Sequence, residues 1–120
     1  MIIVYGISNC NTVKKARAWL TMHGLDHAFH DFKKQGVPAD KLAHWASTLG
    51  WDTLINRRGT TWRTLGMAKQ GTADTPNGAY AMALAMPSVI KRPVVEWASA
   101  ETTAGFDAAH FAETLSRLRG

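Results

Sequence analysis

The chain begins Met1-Ile2-Ile3-Val4-Tyr5-Gly6-Ile7-Ser8-Asn9-Cys10-Asn11-Thr12. Its first residues are β-branched and aromatic, which is typical of a strand buried on both faces, and Gly6 ends this run. A helical pattern begins directly after Cys10. A strand that leads at once into a helix predicts the first half of a βαβ unit, with Cys10 in the turn between the two elements.

Cys10 is the only cysteine of the chain, and its predicted surroundings favour a thiolate. The N-terminal end of a helix carries partial positive charge, and Lys14 and Lys15 add cationic charge within about one helical turn. The adjoining residues are polar, unlike those around an inert cysteine of a hydrophobic core, which is the alternative interpretation. We therefore predict that Cys10 is a nucleophile with a lowered pKa. Asn9 and Thr12 are candidate helix caps, and Thr12 is also a candidate donor to the thiolate.

The residues that follow complete the βαβ unit. Residues 12–23 carry apolar side chains at helical spacing, and Gly24 supplies a helix stop. Residues 27–32 are predicted to form a second strand. Because crossovers of this kind are right-handed, the second strand is expected to lie parallel to the first.

The middle of the chain, at about residues 37–86, carries helical patterns separated by turns. Leu42, Trp45 and Leu49 repeat at the spacing of one helix face, and Gly50 ends that helix. The remaining predictions are helices at 51–55, 60–63 and 77–86, a loop at 56–59, and a loop or broken helix at 66–76.

The C-terminal part predicts a hairpin and a final helix. A third strand follows Arg92-Pro93 and extends to Glu96, residues 102–106 form its partner, and Asp107 is a natural N-cap for the last helix. The order βαβ, helical insert and ββα is that of a thioredoxin-like α/β fold. We expect a single domain over residues 1–120, with an insertion at about 37–86 and the active site at the end of the first strand.

Composition narrows the range of functions. A net charge of +5 favours anionic partners, but the basic residues are scattered without a nucleic-acid-reading motif, so nucleic-acid binding is not predicted. His27 and His30 face opposite sides of the predicted strand, so we expect no metal site. No apolar run is long enough to span a membrane and no leader peptide is recognisable, which predicts a cytoplasmic location without membrane association.

Specific motifs follow one another along residues 2 to about 95. They are Val4-Tyr5-Gly6-Ile7-Ser8-Asn9-Cys10-Asn11-Thr12-Val13-Lys14-Lys15-Ala16-Arg17, Phe29-His30-Asp31-Phe32, Leu49-Gly50-Trp51, Leu54-Ile55-Asn56-Arg57-Arg58-Gly59-Thr60-Thr61-Trp62-Arg63 and Met86-Pro87-Ser88-Val89-Ile90-Lys91-Arg92-Pro93. In this order they resemble the arsenate-reductase/Spx family. The resemblance is strongest to its YffB-type branch, whose members have a thioredoxin fold and are proposed to be glutathione-dependent thiol reductases.

The resemblance implies roles for particular residues. Cys10 corresponds to the family's nucleophile, and Arg58 to an arginine near the thiol, with Arg57 as the less favoured register. Arg92 corresponds to a second arginine that directly precedes a cis-proline, here Pro93. Two guanidinium groups near a thiolate would lower its pKa and bind an oxyanion or a carboxylate.

Two departures from the family pattern bear on function. Residues 96–106 contain no arginine, although arsenate reductases of the family use a third arginine in this segment, and this departure disfavours arsenate reduction. Position 13 is Val13, where Spx-type regulators often have a second cysteine. A disulfide switch within this loop is therefore impossible.

The leading hypothesis is a thiol-dependent reductase, an oxidoreductase acting on sulfur, without a bound cofactor. Because the chain has no second cysteine, an external thiol must resolve the intermediate, and glutathione is the expected co-substrate because its carboxylates suit Arg58 and Arg92. Glutaredoxin is a candidate partner, and Lys14 a candidate substrate-binding residue. Two alternatives stay open: an Spx-like regulator that binds RNA polymerase or another protein, and a glutaredoxin-coupled arsenate reductase.

Overall fold

The structure is a computed structural model that describes residues 1–98 and 101–119. The chain divides into two compact units. Met1–Asp31 and Arg92–Gly120 form the first, called the sheet unit below, and Phe32–Lys91 form the second, called the helical unit. The elements in chain order are β1 (Ile2–Gly6), α1 (Asn11–Met22), β2 (His27–Asp31), α2 (Phe32–Gln35), α3 (Ala39–Leu49), α4 (Trp51–Leu54), α5 (Thr60–Thr64), α6 (Met67–Gly71), α7 (Pro76–Ala85), β3 (Val94–Glu96), β4 (Thr102–Ala104) and α8 (Ala108–Arg119).

The sheet unit contains a four-stranded mixed sheet with the strand order β2-β1-β3-β4. β1 pairs in parallel with β2, and Val4 lies opposite Phe29 in this pair. On its other side β1 pairs antiparallel with β3, where Val4 lies opposite Val95, and β3 pairs antiparallel with β4. β1 is therefore a central strand, which agrees with its continuous apolar sequence.

The core of the sheet unit joins one face of the sheet to α1 and α8. Its central ring is Phe111 of α8, which makes edge-on contacts with Trp19, Trp97 and Phe106 at centroid distances of 5.4, 5.0 and 4.8 Å. Edge-on contact is a favourable geometry for aromatic pairs. The buried members of this core are Ile2, Val4, Ala16, Leu20, Val95, Trp97 and Phe111.

The helical unit is organised around buried side chains from short helices. Leu42 and Trp45 of α3 are fully buried. A short antiparallel bridge joins Ile55 to Ile90, and the Asn56 N–H donates to the carbonyl of Val89 at 2.7 Å beside it. Segments 54–56 and 89–91 thereby join the middle of the unit to its C-terminal end.

The predicted thioredoxin-like α/β fold is confirmed, with differences at element ends. The second strand ends at Asp31 rather than residue 32, because Phe32 begins α2. The centroid of the Phe32 ring lies 6.2 Å from that of Trp45. Residues 66–76, predicted as a loop or broken helix, contain α6 and a 3₁₀ turn at Thr72–Asp74. α7 begins at Pro76 because the Thr75 hydroxyl caps it, accepting a hydrogen bond from the N–H of Gly78 at 3.1 Å.

The domain organisation, a single domain with an insertion at about residues 37–86, stays a prediction. In the part of the chain that the structure describes, no helix has the length and apolar character needed to cross a membrane.

Candidate active site

Cys10 is the N-cap residue of α1. The chain leaves β1 through buried Ile7, and the Cys10 N–H donates to the carbonyl of Ile7 at 3.1 Å in a tight turn. Cys10 has an extended backbone with φ −91° and ψ 122°. Its carbonyl accepts the first helical hydrogen bond from the N–H of Lys14 at 3.0 Å. The thiol therefore sits where the unpaired N–H groups and the partial positive charge of the helix are concentrated.

Gly6 permits this turn because α1 starts very close to the end of β1. A Cβ atom at Gly6 would lie 2.7 Å from Cγ2 of Val13, which is shorter than van der Waals contact allows. Val13 itself is buried on the inner face of α1. The absence of a side chain at Gly6 is therefore what lets Val13 anchor the first turn of the helix against the sheet.

The surroundings of the sulfur favour its ionised form. Partial burial of Cys10 raises its pKa, but the backbone N–H of Val13, the guanidinium of Arg92 and the backbone N–H of Thr12 act in the opposite direction. Arg92 acts both by a hydrogen bond and by its charge. These stabilising groups outweigh desolvation, and the pKa of the Cys10 thiol is lowered.

The pairing of β3 with β1 brings Arg92 to the sulfur. Arg92 lies two residues before Val94, the first residue of β3, and the antiparallel register sets Val94 opposite Tyr5, near the end of β1 that leads to Cys10. The Tyr5 hydroxyl donates to the Glu96 carboxylate at 2.8 Å and ties the same two strands together. The sheet therefore joins two residues that are distant in sequence.

The peptide bond between Arg92 and Pro93 is cis, as the resemblance implied. Pro93 is buried, and its carbonyl accepts a hydrogen bond from the N–H of Gly105 at 2.9 Å. Pro93 is thus held against the residue that follows β4.

The predicted helix caps need correction. Asn9 and Thr12 are exposed, and no side-chain hydrogen bond caps α1 in the described structure. Cys10 occupies the N-cap position instead, and Thr12 acts on the thiol through its backbone N–H rather than its hydroxyl. Lys14 is exposed on the first turn and is not among the groups that lower the pKa of Cys10.

The mid-chain arginines lie in the loop between α4 and α5. Arg57 lies over the ring of Trp62, 4.9 Å from its centroid, and forms long ion pairs of 4.0 and 3.9 Å with Asp52 and Asp74. Arg58 is exposed. The role of Arg58 toward the thiol stays a prediction, but Arg57 already has its own partners within the helical unit.

The histidines of β2 have separate surroundings. The Nε2 atom of His27 accepts a hydrogen bond from Nε of Arg17 at 3.3 Å, whereas the ring of His30 lies 5.1 Å from that of Tyr5. Among the described residues no cluster of three or more histidine, cysteine or acidic side chains could hold a metal ion.

Sequence reasoning missed the main-chain donor at Val13. The third position of a helix regularly offers a free N–H to the N-cap side chain, so the signal existed once Cys10 was placed at the cap. Reasoning from side chains alone favoured Asn9 and Thr12 because their oxygen atoms are the more familiar caps.

A thiol at the N-terminus of the helix after a central strand, beside an arginine and a cis-proline, defines a thioredoxin-like protein with a candidate redox site. The model of the ArsC family matches residues 5–114. The chain therefore belongs to the ArsC family.

Solved structures and a curated relative agree with this assignment. A protein described as YFFB is 41% identical, with a TM-score of 0.85 over 94% of this chain and 97% of the other. An arsenate reductase (ArsC) related protein from Brucella melitensis is also 41% identical, with a TM-score of 0.74 over 95% of this chain and 93% of the other. The global transcriptional regulator Spx of Lactiplantibacillus plantarum is 24% identical over 97 residues, which are 79% of this chain and 72% of that protein.

Proposed function

We propose that this protein is a glutathione-dependent thiol reductase in which Cys10 is the single nucleophile. The observation that carries the proposal is the position of the Cys10 sulfur at the N-terminus of α1, beside the guanidinium of Arg92, with a lowered pKa. A thiolate is the reactive form in disulfide exchange, and a lowered pKa raises its share near neutral pH. Arsenate reductase-related members of the family are similar over nearly the whole chain.

The reaction takes place in three exchange steps. The Cys10 thiolate attacks one sulfur of a substrate disulfide, so that a mixed disulfide forms, the substrate S–S bond breaks and one substrate thiolate leaves. A glutathione thiolate then attacks the substrate sulfur of that mixed disulfide, and Cys10 leaves as a thiolate. A second glutathione releases the remaining substrate thiol, so two glutathione molecules are oxidised to one disulfide for each disulfide reduced.

The chain's own residues have distinct parts in this proposal. Arg92 and the N–H groups of Thr12 and Val13 stabilise Cys10 each time it is a thiolate, as attacking group and as leaving group. Arg58 binds a carboxylate of glutathione, a ligand class that guanidinium groups bind bidentately. The chemistry requires no bound cofactor or metal, and it suits a reducing compartment such as the cytoplasm.

Mass spectrometry of the intact protein tests the proposal. After incubation with oxidised glutathione we expect one added glutathione on Cys10, removed again by a glutaredoxin with reduced glutathione. Cys10→Ser is the matched control, because it keeps a small polar side chain at the N-cap without a reactive thiol. A wild-type protein that stays unmodified while its fold is intact would refute the mechanism.

A second candidate function is an Spx-like regulator that binds a protein partner, and the similarity to Spx favours it. Co-elution with purified bacterial RNA polymerase in size-exclusion chromatography tests it. A stoichiometric complex that forms equally well with Cys10→Ala would support binding as the main role, and separate elution at micromolar concentrations would count against it.

Arsenate reduction is a third candidate, favoured by the arsenate reductase-related structure from Brucella melitensis. Arsenate-dependent oxidation of glutathione in the presence of a glutaredoxin would support it. A rate equal to that of Cys10→Ser would exclude it. We rank it below disulfide reduction because residues 96–106 contain no arginine.

A further inference from the structure

An open groove, called the polar groove below, lies beside the C-terminal half of α1 in the sheet unit. It has a volume of about 470 Å³ and is lined by Arg17, Ala18, Thr21, Gly24, Leu25, Asp26 and His27. Cys10 is the N-cap of α1, and Thr21 lies near the other end of this helix. At 1.5 Å per residue the two positions are about 16 Å apart along the helix. The polar groove is therefore separate from the candidate active site.

Arg17 is held in place on one side of the polar groove. Its guanidinium carbon lies over the ring of Phe29, 4.4 Å from the centroid. Its Nε donates to Nε2 of His27 at 3.3 Å, while Nδ1 of the same ring lies 3.2 Å from the carbonyl oxygen of Leu25. Because a carbonyl oxygen can only accept, Nδ1 carries the ring proton and Nε2 is the acceptor. The cation–π contact and the hydrogen bond together orient the guanidinium.

The Nη groups of Arg17 stay available to a ligand. Arg17 is half-buried, and within residues 1–98 and 101–119 its guanidinium makes no ion pair and no hydrogen bond besides the one to His27. The two Nη groups of a guanidinium can bind one carboxylate through parallel hydrogen bonds. Since the contacts with Phe29 and His27 already restrict the side chain, little conformational freedom is lost when a carboxylate binds.

The turn that ends α1 places a negative charge in the same groove. The N–H of Leu25 donates to the carbonyl of Leu20 at 2.9 Å. The N–H of Gly24 donates to the carbonyl of Thr21 at 3.0 Å. With Gly24 at φ +69°, these two bonds form a Schellman motif, which is a regular helix end. Asp26 follows directly and is exposed, and in the described part of the chain its carboxylate forms no ion pair.

The polar groove therefore has a positive side and a negative side. Arg17 supplies the positive side, whereas Asp26 and the carbonyl end of α1, which carries partial negative charge, supply the negative side. The two side chains line one groove, but they do not form an ion pair with each other in the structure as described. A ligand with an anionic and a cationic end would satisfy both charges, whereas a simple anion would be repelled by the carboxylate.

We propose that the polar groove binds a short peptide with free ends, whose carboxylate binds Arg17 and whose ammonium group faces Asp26. Three residues span at most about 10 Å, a length that suits a groove of this size. Ala18 and Leu25 supply apolar lining for the side chains of the peptide. This inference goes beyond the proposed function, because no step of the exchange at Cys10 involves the polar groove.

Titration with trialanine, followed by NMR, tests the proposal. The reporters are the side-chain Nε–H of Arg17 and the backbone N–H groups of residues 17–27. We expect saturable shifts of these signals with the free peptide. N-Acetyl-trialanine lacks the ammonium group and trialanine amide lacks the carboxylate. Each should bind about two- to fivefold more weakly, as expected for the loss of one solvent-accessible charged contact.

Two variants assign each end of the peptide to its partner. In Asp26→Asn, acetylation of the peptide should no longer weaken binding, and in Arg17→Gln, amidation should no longer do so. Arg119→Gln removes an exposed arginine of α8 and is the matched control for charge, so it should bind all three peptides as the wild type does. If circular dichroism shows that Arg17→Gln does not fold, the exposed position of Asp26→Asn keeps the proposal testable.

Three results would overturn the proposal. They are the absence of a saturable shift at millimolar trialanine, equal affinity of the wild type for the three peptides, and end effects that persist undiminished in Asp26→Asn and Arg17→Gln. None of these measurements uses the thiol. Their outcome is therefore independent of the reductase function, which the glutathione adduct on Cys10 tests separately.

Discussion

Opposing effects act on the sulfur of Cys10. Partial burial favours the neutral thiol, while the N–H of Val13, the Arg92 guanidinium and the N–H of Thr12 favour the thiolate and lower the pKa. Main-chain donors at a helix end are retained by every side-chain substitution except proline, whereas a guanidinium is lost with its side chain. Arg92 is therefore the group through which the reactivity of Cys10 can be tested most directly.

We predict that Arg92→Ala raises the pKa of Cys10, because a hydrogen bond and a favourable charge are lost together. The rate of alkylation by iodoacetamide, measured against pH, reports the thiolate fraction. Arg119→Ala is the matched control, since it removes the same charge from α8 of the sheet unit. An unchanged alkylation profile in Arg92→Ala would show that Arg92 does not stabilise the Cys10 thiolate.

The lowered pKa also predicts a pH dependence of stability. Since the folded state favours the thiolate, the stabilisation is fully present above the ordinary thiol pKa of the unfolded chain. It is lost as the pH falls through the lower folded pKa. The difference in unfolding free energy between the reduced wild type and Cys10→Ser should therefore grow as the pH rises through this interval. Urea titrations across it test the sign, and a constant difference would contradict it.

Among the secondary-structure elements, the contact between β1 and α1 determines the position of the thiol. Because a methyl group at position 6 would overlap with Val13, Gly6→Ala should destabilise the protein by about 1–3 kcal/mol, the usual cost of overpacking. It should also displace the first turn of α1 from its place. Chemical denaturation measures the first effect and the alkylation profile of Cys10 the second.

Two further variants make this prediction specific. Gly66→Ala is the matched control, because an added Cβ there meets no atom within 4 Å, and we expect its stability to change little. Val13→Ala combined with Gly6→Ala removes the colliding atoms and should recover part of the loss. A Gly6→Ala protein as stable as Gly66→Ala would show that the close approach is unimportant.

The hairpin of β3 and β4 contains a buried polar pair. The indole N–H of Trp97 donates to the Thr103 hydroxyl at 3.0 Å, and both residues are buried. Thr103→Val keeps the shape but leaves the indole N–H without its acceptor, which should cost about 1–3 kcal/mol of unfolding free energy. Thr103→Ser retains the hydroxyl and should recover most of this loss. Equal stability of the valine and serine variants would contradict the assignment.

The order of the elements could be predicted from the sequence because the spacing of hydrophobic residues and the glycines at element ends are local signals. The strand Ile2–Gly6 and the helix face of Val13, Ala16 and Leu20 are examples. The end of β2 was harder to predict from the sequence, since Phe32 belongs to α2 and packs near Trp45, a contact between residues distant in sequence. Local propensity carries no information about such contacts.

For the site, the sequence indicated Cys10 and the helix end, while Arg92 and its cis-proline came from the family resemblance. The physical reason is that Arg92 reaches the sulfur through the pairing of β3 with β1. The hydrogen bond from Nε of Arg63 to the carbonyl of Arg58 was not predicted, because a side chain that donates to a main-chain carbonyl leaves no pattern in the sequence.

Across the whole molecule, the chain organisation explains why the sheet unit depends on long-range pairing. The chain leaves this unit after Asp31 and returns to it at Arg92. Cys10 lies before this excursion and Arg92 directly after it, so the thiolate-stabilising pair forms only when both segments are assembled in one sheet. The redox chemistry proposed for Cys10 is therefore a property of the assembled sheet unit rather than of a local peptide motif.

The net charge of the whole chain should affect the rate at which disulfides reach Cys10. With a net charge of +5, the protein attracts anions at low ionic strength, and salt screens this attraction over a Debye length of about 10 Å at 0.1 M. We predict that the second-order rate constant for net-negative glutathione disulfide falls several-fold as salt is raised. Uncharged bis(2-hydroxyethyl) disulfide should show little dependence, and cationic cystamine should react faster with added salt. Stopped-flow kinetics with an alkylating quench measures the rate constant for each disulfide at several salt concentrations. The same dependence on salt for all three disulfides would show that long-range charge has no part in the encounter.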